Sequence, residues 1–136
     1  MELHFVEEAR RLRQEYLATA GRGAPLVLLE GDLGAGKTSF AKTLLSLEGI
    51  PPGEVQSPTF LKVLSHRLPA GGVALHMDAY RLEDAEDVAK IGLEAFEDVR
   101  LMIVEWPQVF EAWLAENPAR ASFLGLGARY RLRFEV

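Results

Sequence analysis

The segment from Gly31 to Thr38 contains the residue types and the spacing of a phosphate-binding loop. It reads Gly-Asp-Leu-Gly-Ala-Gly-Lys-Thr and fits the pattern G-x-x-x-x-G-K-[ST]. A triphosphate needs many N–H donors at close range, and glycines let the backbone curl around it because they carry no Cβ. Lys37 is then the cation for the β- and γ-phosphates, and the Thr38 hydroxyl is a ligand for Mg²⁺. The segment therefore predicts a nucleotide-binding site.

The residues around this segment favour the same interpretation. The apolar run Leu26–Leu29 precedes it as a strand would, and Ser39–Leu45 follows with the composition of a helix. A helix that begins near Lys37 points its unpaired N–H groups and its positive dipole end at an anion. A glycine-rich turn that binds nothing is the less favoured alternative. We expect the nucleotide to contact Asp32, Leu33, Gly34, Ala35, Gly36, Lys37, Thr38 and Ser39.

Two acidic residues follow apolar runs that have the character of buried strands. Asp78 ends one such run and Glu105 ends another. The carboxyl ends of parallel strands lie at the edge where ligands bind, so both acids should lie near the phosphates. Hydrolysis requires carboxylates that hold Mg²⁺ or its waters, and a group that positions the attacking water. We predict Lys37, Asp78 and Glu105 as catalytic residues and Thr38, Asp78 and Glu105 as the metal site, although either acid alternatively caps the segment that follows it.

Thr59, Arg81 and Trp106 are further candidates, each with an ordinary structural alternative. Thr59 lies in Ser57–Phe60, where many phosphate-loop proteins place a loop that senses the γ-phosphate, but a plain turn fits this tetrapeptide as well. Arg81 either neutralises phosphate charge or pairs with acids at the surface. Trp106 either stacks on a base or a partner, or packs against the protein. We include Thr59 and Trp106 among the predicted nucleotide contacts.

The nucleotide is expected to be ATP rather than GTP. A GTPase switch has the spacing D-x-x-G, but Arg81 occupies the glycine position after Asp78, and no [NT]-K-x-D guanine-reading motif occurs in the sequence. The predicted cofactors are therefore ATP and Mg²⁺.

The composition is typical of a globular protein. We expect residues 1–136 to form a single domain, since 49% of them are hydrophobic and 26% are charged. No apolar run is long enough for a membrane span, and the acidic N-terminal residues do not resemble a signal peptide. The chain contains no cysteine, which agrees with a reducing compartment, and we expect a cytoplasmic protein. A net charge of −5 argues against tight, direct binding to nucleic acid.

Alternating helix and strand patterns predict an α/β fold. Such alternation implies a mostly parallel sheet flanked by helices, as in P-loop NTPases. Helices are expected at Val6–Ala20, from the phosphate loop to Leu47, within Asp84–Phe96, where Gly92 breaks the helical pattern, and after Pro107. Strands are expected at Leu26–Leu29, Thr59–Leu64, Val73–Met77 and Leu101–Val104.

The C-terminal residues predict an edge strand. Ala128–Val136 alternates strictly between apolar and polar residues, as a half-buried strand does. Ser122–Leu126 is the expected partner, so we predict an antiparallel hairpin at this edge.

The assembled motifs resemble those of the bacterial TsaE (YjeE) family, the small ATPases of tRNA threonylcarbamoyladenosine biosynthesis. The resemblance extends over residues 5 to 115, and the segment from Ala115 matches no motif of the family. An H-x-D-x-Y-R block and an E-W pair make it specific. The matching blocks, in order, are Gly31–Thr38, Ser57–Phe60, His76–Leu82 and Val104–Pro107.

The resemblance implies an ATPase that acts with two partners, the TsaB and TsaD proteins. These transfer a threonylcarbamoyl group to adenosine 37 of tRNAs that read codons beginning with A, so tRNA would be reached indirectly through the partners. The resemblance also implies roles in phosphate binding, Mg²⁺ binding and hydrolysis for Lys37, Thr38, Asp78 and Glu105. It implies positions at the nucleotide or at a switch region for Thr59 and Trp106.

Two other functions stay open from the residues alone. A small-molecule kinase would use the same loop, but it needs an acceptor pocket and usually a closing lid, for which 136 residues leave little room. A nucleotide-gated binding module would use ATP to order the loop at Ser57–Phe60 without meaningful turnover. We favour an ATPase that is weak alone and whose function is expressed through its partners.

Overall fold

The computed structural model describes residues 5–19, 21, 23–55 and 63–135. Its helices are α1 (Val6–Leu17), α2 (Lys37–Leu47), α3 (Ala85–Ile91), α4 (Gln108–Glu116) and the short α5 (Pro118–Ala121). Its strands are β1 (Ala24–Gly31), β2 (Val63–Arg67), β3 (Val73–Asp78), β4 (Val99–Glu105) and β5 (Leu126–Phe134). Short 3-10 helices occupy Pro52–Glu54, Leu93–Ala95 and Ser122–Leu124.

The strands form one five-stranded sheet in the order β2-β3-β4-β1-β5. β1 pairs in parallel with β4 on one side and with β5 on the other, and β3 is parallel to β4. Within the described strands, β2 alone runs antiparallel, along β3. The predicted fold class, a mostly parallel sheet flanked by helices, is confirmed.

The predicted antiparallel hairpin at the C-terminus is wrong. β5 runs parallel to β1, with Tyr130 opposite Val27, and its expected partner forms the 3-10 helix Ser122–Leu124. The chain enters β5 at the end of the sheet where β1 begins, since the Ala24 amide donates to the Gly125 carbonyl at 2.7 Å. An alternating pattern indicates an edge strand but does not define its direction.

The helices cover both faces of the sheet. Val27 and Ile103 face α1 and α2, whereas Leu28 and Val104 face α3 and α4. Successive side chains of a strand point to opposite faces, so a strand that lies between two layers of helices must be apolar at every position. This explains the unbroken apolar runs in β1 and β4.

The ends of the predicted elements differ from the observed ones in a few places. α3 ends at Ile91 because Gly92 adopts a left-handed conformation (φ 79°), and this confirms the predicted break of the helix at Gly92. α1 ends at Leu17, so the expected helix to Ala20 is too long. Ala20 itself and Thr59, the expected start of β2, lie outside the described residues.

No helix in the described ranges is long and apolar enough to cross a bilayer. The longest, α1, has 12 residues, whereas a span requires about 20.

β1 ends at a backbone contact that only glycine permits. Gly31 has φ 136°, and a Cβ on it would lie 1.8 Å from the carbonyl oxygen of Phe134 in β5. The amide of Asp32 donates to that same carbonyl at 3.3 Å. The start of the phosphate loop is therefore fixed against the end of β5.

We predict that Gly31→Ala destabilises the fold by about 3 kcal/mol or more, because the Phe134 carbonyl cannot retreat without breaking the pairing of β1 with β5. Gly71→Ala is the matched control, since Gly71 has φ 109° but open space around it. Its cost should be limited to backbone strain of about 1–2 kcal/mol. Urea denaturation followed by circular dichroism measures both, and equal costs would contradict the steric explanation.

Candidate nucleotide-binding site

The phosphate loop leaves β1 at Gly31 and enters α2 at Lys37. Gly34 (φ 76°) and Gly36 (φ 109°) adopt left-handed conformations that other residues disfavour. Gly36 is the N-cap of α2 and has no side chain to occupy the first amides of that helix. These amides are thus available as donors, which is the arrangement that an anion requires.

An aromatic cluster supports the loop from behind. A Cβ on Gly36 would lie 2.8 Å from the ring of Phe5. The centroid of this ring is 6.1 Å from that of Phe40 and 5.6 Å from that of Phe134, and the last two are 5.5 Å apart. All three contacts are edge-to-face and lie in the favourable range for aromatic pairs. The loop is therefore braced by α2, by β5 and by the residue that precedes α1.

The ammonium group of Lys37 is held by the loop and by an aromatic ring. Its Nζ donates to the carbonyl oxygens of Gly31 (3.0 Å) and Asp32 (2.6 Å). It also lies 4.2 Å from the centroid of the Trp106 ring, within cation–π range. Tyr80 packs on Trp106 with a centroid separation of 4.9 Å. These contacts bring Trp106 to the predicted phosphate-binding group.

Glu105 connects the sheet to the first turn of α2. It ends β4, and it is 3% exposed. Its Oε1 accepts a hydrogen bond from the Thr38 hydroxyl (2.7 Å), and its Oε2 lies 2.6 Å from Nε2 of His76. The N-cap of α4, Pro107, makes no side-chain capping bond. The carboxylate of Glu105 is thus directed at Thr38 and His76, which disfavours the alternative that it caps the segment after β4.

Asp78 lies beside Glu105 at the same edge of the sheet. The two residues are opposite each other in the register of β3 and β4. Oδ1 of Asp78 accepts from the Tyr80 amide at 3.0 Å, so Asp78 caps the turn after β3 while it also lines the cleft at this edge. Burial raises the pKa of Asp78, the Tyr80 amide opposes the rise, and the charge of Glu105 adds to it.

A cleft of about 440 Å³ opens between the loop and these strand ends. Of the predicted nucleotide contacts, Asp32 and Ala35 do not line it, although the Asp32 carbonyl binds Lys37. Thr59 lies outside the described residues. The residues that line the cleft are Leu33, Gly34, Gly36, Lys37, Thr38, Ser39, Asp78, Tyr80, Arg81, Glu105 and Trp106.

Three residues at the site are not among the predicted catalytic, metal-binding or nucleotide-contacting residues, although Arg81 is a candidate for neutralising phosphate charge. Tyr80 and Arg81 line the cleft, and their position after Asp78, just beyond a strand end, is the sequence signal for them. His76 binds Glu105 from the neighbouring strand. Its position two residues before Asp78 indicates a shared face of β3, but the register with β4 cannot be read from one sequence.

The oxygen donors at this edge suit Mg²⁺. Thr38 supplies a hydroxyl, and Asp78 and Glu105 supply carboxylates. The described part of the chain contains no group of three or more His, Cys, Asp or Glu that could hold a metal ion. Magnesium is commonly bound by one or two carboxylates together with substrate phosphates. The residues therefore fit a magnesium ion that is shared with a nucleotide.

A family model and the curated relatives identify one family. A family model described as "Threonylcarbamoyl adenosine biosynthesis protein TsaE" matches residues 3–129. A Bacillus subtilis protein named tRNA threonylcarbamoyladenosine biosynthesis protein TsaE is 34% identical over 143 residues, which cover 95% of this chain and 87% of the relative. The protein of the same name from Rickettsia bellii is 30% identical over 80% of this chain and 74% of its own. A crystal structure of Bacillus subtilis YdiB is 28% identical, with a TM-score of 0.48 over 79% of this chain and 64% of that chain.

We predict that Thr38→Val removes the part of ATP affinity that depends on Mg²⁺. The substitution keeps the shape of the side chain but deletes the hydroxyl that would bind the metal and that donates to Glu105. The loss should be about 2 kcal/mol, or more than tenfold in Kd. Isothermal titration calorimetry with a non-hydrolysable ATP analogue, with and without Mg²⁺, measures it.

Ser39→Ala is the control for this substitution, because Ser39 also lines the cleft from α2. It should retain most of the gain in affinity that Mg²⁺ gives. Equal losses in the two variants would contradict a specific role for the Thr38 hydroxyl.

Proposed function

Because the chain belongs to the TsaE family, which serves tRNA threonylcarbamoyladenosine biosynthesis, we propose that it binds ATP with Mg²⁺ in the cleft and hydrolyses it for that pathway. The observation that supports this most is the convergence of Lys37, Thr38, Asp78 and Glu105 on one cleft. A cation, a hydroxyl and two carboxylates are the groups that phosphoryl transfer to water requires.

The loop and α2 are the proposed triphosphate site. The free amides at the start of α2 would donate to phosphate oxygens, and the helix dipole would favour their charge. Lys37 is bound to two neutral carbonyls, and bonds to an anion are stronger, so phosphate would compete for its ammonium group. Trp106 stacks on that group and excludes water from one side of it, which strengthens its pull on an anion.

Hydrolysis would proceed by attack of a water oxygen on the γ-phosphorus. The bond from this phosphorus to the bridging oxygen breaks, and ADP and inorganic phosphate result. We assign Asp78 to orient the water and to accept its proton, since both oxygens of Glu105 already have partners. The raised pKa of Asp78 makes it a better proton acceptor than an ordinary carboxylate. Bound Mg²⁺ would supply positive charge that stabilises the leaving diphosphate.

We propose TsaB-like and TsaD-like proteins as the partners, and family membership supports this proposal. The chain would reach tRNA through them, because a net charge of −5 weakens direct contact with a phosphate backbone. ATP binding and hydrolysis would then act as a switch on the assembly.

A nucleotide-gated module without turnover is the second candidate. One observation favours it: Glu105 is occupied by Thr38 and His76, so catalysis depends on Asp78 alone among the predicted acids. If Asp78 does not assist water, the site binds ATP without hydrolysing it at a useful rate.

We predict that Lys37→Ala lowers ATP affinity about 100-fold, because it removes charge-assisted bonds to phosphate. Threonylcarbamoyl transfer to tRNA, reconstituted with the two partners, threonine, bicarbonate and ATP, should fall to background. Lys42→Ala is the control, since Lys42 lies on the same helix but does not line the cleft. Unchanged modification with Lys37→Ala would refute the proposed function.

We predict that Asp78→Asn lowers the kcat for phosphate release about 100-fold, or about 3 kcal/mol, with little change in the ATP affinity measured without Mg²⁺. The amide oxygen of Asn can still accept from the Tyr80 amide, so the turn after β3 is preserved. Asp84→Asn is the control, because the Asp84 carboxylate also accepts from a backbone amide, as the N-cap of α3, and does not line the cleft. A fall in kcat below threefold would favour the module without turnover.

A further inference from the structure

We propose that His76 is a positioning residue of this site. Its Nε2–H fixes the Glu105 carboxylate so that the other carboxylate oxygen meets the Thr38 hydroxyl. The effect of His76 on hydrolysis rests on the proposed function, whereas its hydrogen bond to Glu105 can be tested separately.

The three side chains form a continuous row of hydrogen bonds. His76 Nε2 lies 2.6 Å from Oε2 of Glu105, and the Thr38 hydroxyl lies 2.7 Å from Oε1. Since a carboxylate oxygen accepts hydrogen bonds, we assign the donor of the contact between His76 and Glu105 to Nε2. Nδ1 of His76 has no hydrogen-bond partner among the described residues. Within the described part of the chain, the polar contact of the imidazole is therefore directed at Glu105.

His76 and Glu105 are both shielded from water. His76 is 0% exposed and Glu105 is 3% exposed. A buried carboxylate is costly unless donors satisfy its oxygens, and a buried imidazole is costlier than an apolar side chain of similar size. Burial of the imidazole thus costs free energy, and its contact with Glu105 explains why a histidine occupies this position.

The strand register places His76 where it can orient Glu105. His76 lies opposite Ile103, and the next residue of β3 on the same face, Asp78, lies opposite Glu105. His76 and Glu105 are therefore diagonal neighbours on the face that α2 covers, within reach of long side chains. The Glu105 carboxylate is therefore hydrogen-bonded to His76 of β3 on one side and to Thr38 of α2 on the other.

These two hydrogen bonds give Glu105 a role that differs from the role of Asp78. Glu105 is fixed in one orientation, with Oε1 at the hydroxyl that we assign to Mg²⁺. Asp78 lines the cleft and accepts from the Tyr80 amide at one oxygen. Loss of a group that orients a metal site typically lowers metal affinity or activity 10- to 100-fold.

Three substitutions of His76 isolate the Nε2–H. His76→Gln can place an amide N–H near the position of Nε2, whereas His76→Asn is too short to reach Glu105. His76→Leu fills similar volume without a donor. Urea denaturation of each variant measures stability, and His76→Asn serves as the donor-deficient variant if His76→Leu does not fold.

The main measurement is the Kd of a non-hydrolysable ATP analogue with and without Mg²⁺, together with KM and kcat for phosphate release. We expect His76→Leu and His76→Asn to lose at least tenfold of the gain in affinity that Mg²⁺ gives, with unchanged affinity in its absence. His76→Gln should stay within about threefold of the wild type.

Two results would overturn the inference. One is a wild-type response to Mg²⁺ in His76→Leu and His76→Asn. The other is a loss shared by His76→Gln, or a loss of equal size with and without Mg²⁺, since either would mean that His76 only supports the fold.

A spectroscopic measurement keeps this inference distinct from the proposed function. The Nε2 proton in a short bond to a carboxylate should give a downfield proton NMR signal that is lost in His76→Gln and in Glu105→Ala. If the wild type does not hydrolyse ATP but retains this signal and the Mg²⁺ response depends on His76, the proposed hydrolysis fails and the positioning role holds. Absence of the signal from the wild type would overturn the positioning role whatever the activity.

Discussion

The hydrogen bond between Thr38 and Glu105 ties the first turn of α2 to the end of β4. The carboxylate of Glu105 is buried, so a shift of the helix would leave one of its oxygens without a donor. The same bond sets the direction of the Thr38 hydroxyl, which is the proposed metal ligand. The same hydrogen bond therefore constrains both the packing of α2 on the sheet and the geometry of the site.

β1 carries this constraint across the sheet. It lies between β4, which supplies Glu105, and β5, whose last residue supports the start of the phosphate loop. The Trp106 amide donates to the Leu29 carbonyl at 2.9 Å, so the residue after Glu105 is also anchored to β1. The chemistry assigned to the cleft thus depends on neighbours held at fixed spacing by backbone hydrogen bonds, with side chains adding the final orientation.

The parts of the site that could be predicted are those encoded by local patterns. The loop from Gly31 to Thr38 is a contiguous motif, and Asp78 and Glu105 end apolar runs, so parallel pairing brings them to one edge. Partners that depend on register could not be predicted in this way. His76 meets Glu105 because β3 and β4 align with a particular offset, and β5 joins β1 in parallel although its alternation fits either direction.

The close approach of Gly31 to Phe134 connects the phosphate loop to a residue that is distant in the sequence. A loop near residue 31 is completed by a strand that ends at residue 134, so its closure is a non-local event in folding. Ordering of the loop and docking of β5 should share one cooperative unit. A ligand that binds the ordered loop would then slow hydrogen exchange in β5, at backbone amides far from the ligand along the chain. A ligand that stabilised the phosphate loop would therefore also stabilise the edge of the sheet that β5 forms.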